Sequence, residues 1–264
     1  MESYDLWNGT APLYIEGEES PKIHYYPSEE KKTTATVVIL AGGGYSHRAK
    51  HESVGYALYL NAHGYDAFVV DYRVSPYRFP AELLDARRGI RFVRYNAEKF
   101  GIDKNRVAIM GSSAGGHLAA MTSTYRDKIE GEGVDEIDNE DYIPSLQILC
   151  YPVIEVEGHY GSFRNLLGEE RVAELAASVT PSLIADEKTP PAFMWHCTAD
   201  AVVNVDNTYN YAKKLRSLNI PVELHTYPYG RHGLGLSDFQ EGCEYYRVWA
   251  DSLLLFFGIM GFDK

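Results

Sequence analysis

In the stretch RVAIMGSSAGGHLAA, glycines at 111 and 115 bracket Ser113, giving the pattern GxSxG. A serine hydroxyl becomes a useful nucleophile when a sharp strand-to-helix turn exposes it and a base can take its proton. Glycines two residues to either side fit such a turn, because side chains there would collide with the strand or the helix. The N-terminus of the following helix would then point free N–H groups at charge developing beside Ser113. A base and a group to orient it must come from elsewhere in the chain. Among nine histidines, His232 stands in PYGRHGLGL just past an apolar run, in a glycine-rich loop able to approach another backbone. Asp200 follows the preceding run in WHCTADAVV. The chain order is therefore Ser113, Asp200, His232, the nucleophile, orienter and base of an acyl-transfer triad.

A fourth element is VVILAGGGYSH, where a run of apolar residues ends in Gly42-Gly43-Gly44. Consecutive glycines can turn backbone N–H groups into a concave nest for an anion. Neither a Walker lysine nor GxGxxG accompanies them, which argues against a phosphate loop. Gly43 and Gly44, with the Ala114 N–H, are the expected oxyanion donors, and the choice among the three glycines stays open. His47, Arg48, Tyr45, Tyr77 and Tyr151 lie in or beside loops at the same ends of the apolar runs and are candidates to line a pocket. His117 and His196 read as helix and strand interior, and a structural role is expected for each.

These groups must be positioned by a scaffold, and the rest of the chain supplies one. Apolar runs at 33–40, 66–72, 106–111, 145–153, 192–198 and 222–228 read as strands buried on both faces. Helical patterns at 51–63, 80–99, 114–125, 205–218 and 239–257 alternate with them. That alternation predicts an α/β fold, a mostly parallel sheet with helices on both faces. Ser113, Asp200 and His232 then sit on three loops at the carboxyl ends of strands, where open α/β sheets place their sites. The 264 residues are read as one domain, with 155–190 as either a small cap or a long crossover. Residues 127–141 carry eight acids and one base and read as a solvated acidic loop, since DEIDNED lacks a calcium loop's glycine and register. Arg87, Arg91 and Arg94 repeat at helical spacing and read as a solvated, ion-paired face.

Composition narrows the function. A net charge of −12 argues against a nucleic-acid partner, whose phosphates need clustered Lys and Arg. Cys150, Cys197 and Cys243 are widely spaced, without a CxxC, and are expected as reduced, packed thiols. The longest apolar stretch, LLLFFGIMGF, is too short to span a bilayer. The start MESYDLWNGT has no basic and apolar leader pattern, so a cytoplasmic protein with no membrane partner is expected.

The segments ILAGGGY, GYDAFVVDYRVSPYRFPAELLDARRGIRFVRYNAEKFGID, RVAIMGSSAGGHLAA, FMWHCTAD and VELHTYPYGRHGLGL together resemble the α/β-hydrolase superfamily of serine esterases and lipases. The likeness is strongest to compact bacterial carbohydrate esterases of the acetyl-xylan and feruloyl type. Two departures bear on loop shape: Ala41 stands where an HGGG-type loop has histidine, and Asn204 where proline is more usual. The resemblance implies an α/β-hydrolase fold and a dimer or tetramer. It also implies a carboxylester hydrolase that removes short acyl groups, acetyl foremost, from a sugar or small oligosaccharide, without metal or organic cofactor. Hydrolysis of arylformamides or peptides on the same triad is the alternative. A silent binding module should have lost a triad residue, and none is missing here.

Overall fold

β-Branched and apolar residues that alternate between two covered faces account for the centre of the molecule. The computed structural model describes residues 1–237 and 244–264. Its strands are β1 (Glu2–Asp5), β2 (Lys22–Tyr26), β3 (Thr36–Leu40), β4 (Asp66–Asp71), β5 (Val107–Ser112), β6 (Leu146–Cys150), β7 (Ala192–Cys197) and β8 (Val222–Tyr227). They form one 8-stranded sheet in the order β1-β2-β4-β3-β5-β6-β7-β8. β1 and β2 are antiparallel to their neighbours, and all pairings from β4 to β8 are parallel. The six expected strands are all present, within a few residues of their expected bounds. The β1–β2 edge was not among them.

The helices are α1 (Val54–Ala62), α2 (Ala81–Tyr95), α3 (Ala97–Phe100), α4 (Ser113–Thr124), α5 (Tyr160–Leu167), α6 (Val172–Leu175), α7 (Pro181–Ile184), α8 (Asp206–Ser217) and α9 (Val248–Ile259). Val38, Leu40, Ile109 and Leu149 face one layer, with Leu83 and Ile90 of α2, Leu118 of α4 and Leu215 of α8. Their strand neighbours Val37, Ile39, Ala108 and Ile148 face the other, against Tyr56 of α1 and Trp249 and Phe256 of α9. This period-2 division produces helices on both faces. The expected helix 239–257 begins outside the described residues, and Cys243 also lies outside them. Cys150 and Cys197 are buried strand residues, and burial pushes the Cys150 thiol up to about 12. No described helix is long and apolar enough to cross a membrane.

Two charged segments differ from their sequence reading. The acidic stretch 127–141 is a solvated loop only in part, and the arginines of α2 are not a solvated face: Glu132, Asp135 and Asp138 cover these arginines, while Asp127, Glu130, Glu136 and Asp141 stay exposed. Arg87 and Arg88 are fully buried. Arg88 makes a two-pronged contact to Asp135 at 2.6 and 2.7 Å and reaches Asp138 at 2.9 Å. Arg87 meets Glu132 at 2.8 Å and lies over the Tyr142 ring. Arg91 meets the same Glu132, and Arg94 donates to the Asp141 carbonyl. A planar guanidinium fits these forked contacts, and the loop seals the pairs from water.

Replacing Arg88 with methionine leaves the buried Asp138 carboxylate with the Gly133 and Val134 N–H groups and with Arg91 at 3.6 Å, a weaker compensation that should cost about 2–3 kcal/mol in urea denaturation. Hydrogen bonds from Arg88 hold the Asp135 carboxyl below its ordinary range. That contribution is therefore present above the ordinary carboxylate pKa and lost as pH falls through the depressed one. The variant should show a flatter loss of stability on acidification than the wild type.

Glu82, on the buried side of α2, has neither oxygen hydrogen-bonded among the described residues. Burial pushes its carboxyl up to about 8. Stability from the neutral form is intact below the unfolded value near 4.5 and is lost as pH rises toward 8. Glu82→Gln should accordingly match the wild type in unfolding free energy at about pH 4.5 and exceed it increasingly toward alkaline pH, by on the order of a few kcal/mol, as read by urea denaturation across pH.

Candidate active site

The sheet order reverses at β3, with β4 on one side and β5 on the other. Leu40 pairs with Gly111, so the loops leaving β3 and β5 emerge side by side at this crevice. Ser113 stands at the turn from β5 into α4 with φ +52, a left-handed conformation that costs a non-glycine residue energy. The bracketing glycines allow it. A Cβ at Gly111 would overlap the Gly115 carbonyl, and one at Gly115 would overlap the Leu40 and Ala41 carbonyls.

His232, in the loop after β8, places Nε2 2.8 Å from Ser113 Oγ and Nδ1 2.6 Å from Asp200 Oδ2. Asp200, in the loop after β7, accepts from the Val202 and Val203 N–H groups through Oδ1 at 2.8 and 3.0 Å. Burial opposes ionisation of Asp200, but hydrogen bonds from His196 and His232 outweigh it and hold the carboxyl well below the usual range. Nδ1–H of His232 is thus directed at Asp200, leaving Nε2 free to accept the serine proton. The structure therefore brings all three expected residues together.

His196 is buried in β7 as expected, with Nδ1 2.7 Å from Thr208 Oγ1 and Nε2 3.0 Å from the Val203 carbonyl. It also lies 3.3 Å from Asp200 Oδ2, a contact the strand-interior reading missed. His117 bonds Tyr45 Oη and the Val179 carbonyl, and burial pushes it down to about 4. It is a neutral core group.

Gly43 and Gly44 line a cleft of about 480 Å³ together with Ser113 and His232. The Gly42 N–H is already taken by Glu52 Oε2 at 3.0 Å, which leaves the other two glycines to face the cleft. Ala114 is buried directly behind Ser113, in the first turn of α4.

The expected pocket residues divide sharply. His47 lines the cleft. Tyr45, Tyr77, Tyr151 and Arg48 do not. Tyr45 is buried beneath the glycine loop, with its hydroxyl on His117. Tyr151 is buried behind His232, and its hydroxyl donates to Glu52. Tyr77 and Arg48 line a separate groove with Asp5, Lys22 and Asp71, where Arg48 donates to the Tyr72 carbonyl. Each tyrosine hydroxyl or guanidinium is spent on holding a loop, not on facing the cleft.

The cleft's other wall is α5 and its flank: His159, Gly161, Arg164 and Asn165, with Val202 opposite. Asn165 Nδ2 donates to the Gly44 carbonyl at 2.8 Å, and the Leu166 carbonyl accepts from the Phe79 N–H at 2.7 Å. Within 155–190, α5 therefore borders the cleft from the side. The sequence offered no local signal for these residues, because their relation to Ser113 is purely tertiary.

A model of the BD-FAE family matches residues 24–215. Endo-1,4-beta-xylanase B of Butyrivibrio fibrisolvens is 33% identical over 203 residues, covering 74% of this chain and 32% of its own. Acetylxylan esterase of Xylanibacter ruminicola is 32% identical over 192 residues, covering 70% of this chain and 38% of its own. The chain thus spans well under half the length of these two relatives. Among solved structures, an acetyl ester-xyloside bifunctional hydrolase from Caldicellulosiruptor lactoaceticus superposes with a TM-score of 0.92 at 39% identity. That likeness covers 99% of this chain and 97% of the other.

Proposed function

This chain belongs to the BD-FAE family and has an α/β-hydrolase fold, and on that footing we propose that it is a serine-dependent carboxylic ester hydrolase. Its substrate is a short-acyl ester, acetyl foremost, of a sugar or small oligosaccharide. The observation that carries this reading is the pair of hydrogen bonds through His232, to Ser113 on one side and Asp200 on the other. The names of the xylanase and acetylxylan esterase relatives and of the acetyl ester-xyloside hydrolase support the choice of substrate.

In this account His232 Nε2 takes the Ser113 proton as Oγ attacks the ester carbonyl. Asp200 stabilises the imidazolium and holds its orientation. N–H groups of Gly43, Gly44 and Ala114 receive the oxyanion, where one donor is typically worth about 3–4 kcal/mol of barrier. His232 then protonates the leaving alcohol, and water repeats the sequence on the acyl-serine. The cleft wall argues for the substrate class. His47, His159, Arg164 and Asn165 offer polar partners for sugar hydroxyls, while Val202 is the one large aliphatic side chain among the described lining residues. A long acyl chain would find little apolar surface there. Residues 1–264 act as one unit in this reading, with α5 as a fixed side wall.

The test is hydrolysis of p-nitrophenyl acetate, butyrate and octanoate, followed by acetate release from acetylated xylo-oligosaccharides. The acetyl ester should turn over fastest and the octanoyl ester slowest. Inertness toward every ester, with turnover of an arylformamide or peptide instead, would overturn the proposal in favour of amide chemistry.

A further inference from the structure

Glu52 stands in the short turn Lys50–Glu52 that follows the glycine loop, and only 3% of it is exposed. Burying a carboxylate is expensive unless hydrogen bonds satisfy it. Both of its oxygens are engaged, and with different parts of the site. Oε2 accepts from the Gly42 N–H at 3.0 Å, at the root of the glycine loop. A Cβ at residue 42 would overlap that same oxygen, so the close approach requires glycine. Oε1 accepts from Tyr151 Oη at 2.7 Å. Tyr151 Oη in turn accepts from the Gly235 N–H at 2.9 Å, three residues beyond His232. The Tyr151 ring meets the His232 imidazole edge-on, with centroids 5.0 Å apart. Beside Glu52, His51 Nε2 lies 3.0 Å from the Gly233 carbonyl.

We propose that Glu52 is a positioning residue that clasps the glycine loop to the histidine loop, fixing the oxyanion donors and the base in one register. The inference rests on the esterase reading for its kinetic consequence, but the clasp itself is a matter of geometry. Neither loop is regular structure, so their relative placement depends on such cross-ties. A carboxylate suits the post because it accepts at both ends. Glutamine offers one acceptor and one donor. With its oxygen on Gly42 N–H, its amide must donate to Tyr151 Oη, and the tyrosine proton is left to reach Tyr56 Oη, now 3.4 Å away. Alanine loses both ties.

The experiment compares Glu52→Ala and Glu52→Gln with the wild type, on p-nitrophenyl acetate and by amide hydrogen exchange. Displacing a catalytic group by about an ångström can cost on the order of 100-fold in rate. Glu52→Ala should accordingly lose about 100-fold in kcat with KM within threefold, and Glu52→Gln should recover to within about tenfold of wild type. Exchange should accelerate in Glu52→Ala both around Gly42 and around Gly235. Measurements are made below the variant's own Tm, so that a merely structural role would lower Tm while leaving kcat unmoved. A Glu52→Ala kcat within twofold of wild type, or faster exchange at one loop alone, overturns the proposal. If wild type proves inert on esters while both loops loosen together in the variant, the esterase reading fails and the clasp stands. If esters are hydrolysed and neither loop loosens, the clasp fails and the esterase reading stands.

Discussion

Ser113→Ala is expected to lower kcat on p-nitrophenyl acetate by about 10⁵- to 10⁶-fold, with the fold intact. The size follows from the alignment of groups that act as a unit. His232 Nε2 at 2.8 Å has one proton to take, and without Oγ there is no attacking atom to be activated. What activity survives would come from water attacking an ester held against the oxyanion donors, which commonly retains about 10³- to 10⁴-fold over the uncatalysed rate. The backbone need not move. The Ser113 carbonyl still accepts from the Val153 N–H at 3.0 Å, and alanine is no worse than serine at φ +52. Thermal melting of the variant alongside the rate measurement checks both halves. A kcat within tenfold of wild type would mean another nucleophile.

The second large effect is expected at Asp200. In Asp200→Asn the surroundings dictate how the amide sits. Oδ1 accepts from two backbone N–H groups, of Val202 and Val203, so the amide oxygen must stay there. The NH₂ group then faces His232 Nδ1 and forces that nitrogen to accept. The imidazole proton moves to Nε2, where it points at Ser113 Oγ instead of accepting from it. A wrong tautomer of this kind costs about 10⁴-fold in kcat with little change in KM. The native carboxyl is held well below the ordinary range, chiefly against the opposing effect of burial. Its stabilising contribution is therefore present above the ordinary carboxylate pKa and lost only as pH falls through the depressed value. The variant should be less stable than wild type near neutrality and lose less on acidification. Steady-state kinetics and melting across pH measure both.

The elements that hold Ser113, Asp200 and His232 were legible because each rule acts over a few residues. Gly111 and Gly115 report the close backbone contacts of a strand-to-helix turn, and β3 to β7 read as apolar runs because neighbours cover both their faces; β8, at the sheet edge, is only partly buried, contrary to the expectation of a strand covered on both faces. The β1–β2 edge escaped because its strands are short, partly exposed and carry polar residues such as Lys22 and His24. Arg88 and Asp138 illustrate another limit. A run of charges reads the same whether it meets water or a complementary run 50 residues away. For Tyr45 and Tyr151, residue type and loop position were read correctly, but the direction of a hydroxyl depends on partners such as His117 and Glu52. Glu52, Arg164 and Asn165 had no local signature, since what matters about them is which distant backbone they approach.

The most direct measurement titrates the protein with a fluorophosphonate and follows two quantities: the site of covalent attachment by peptide mass spectrometry, and acetate release from acetylated xylo-oligosaccharide. The expected result is attachment at Ser113, with acetate release falling in proportion and reaching zero at one adduct per chain. Attachment at another residue, or acetate release that persists when Ser113 is fully modified, would contradict the account.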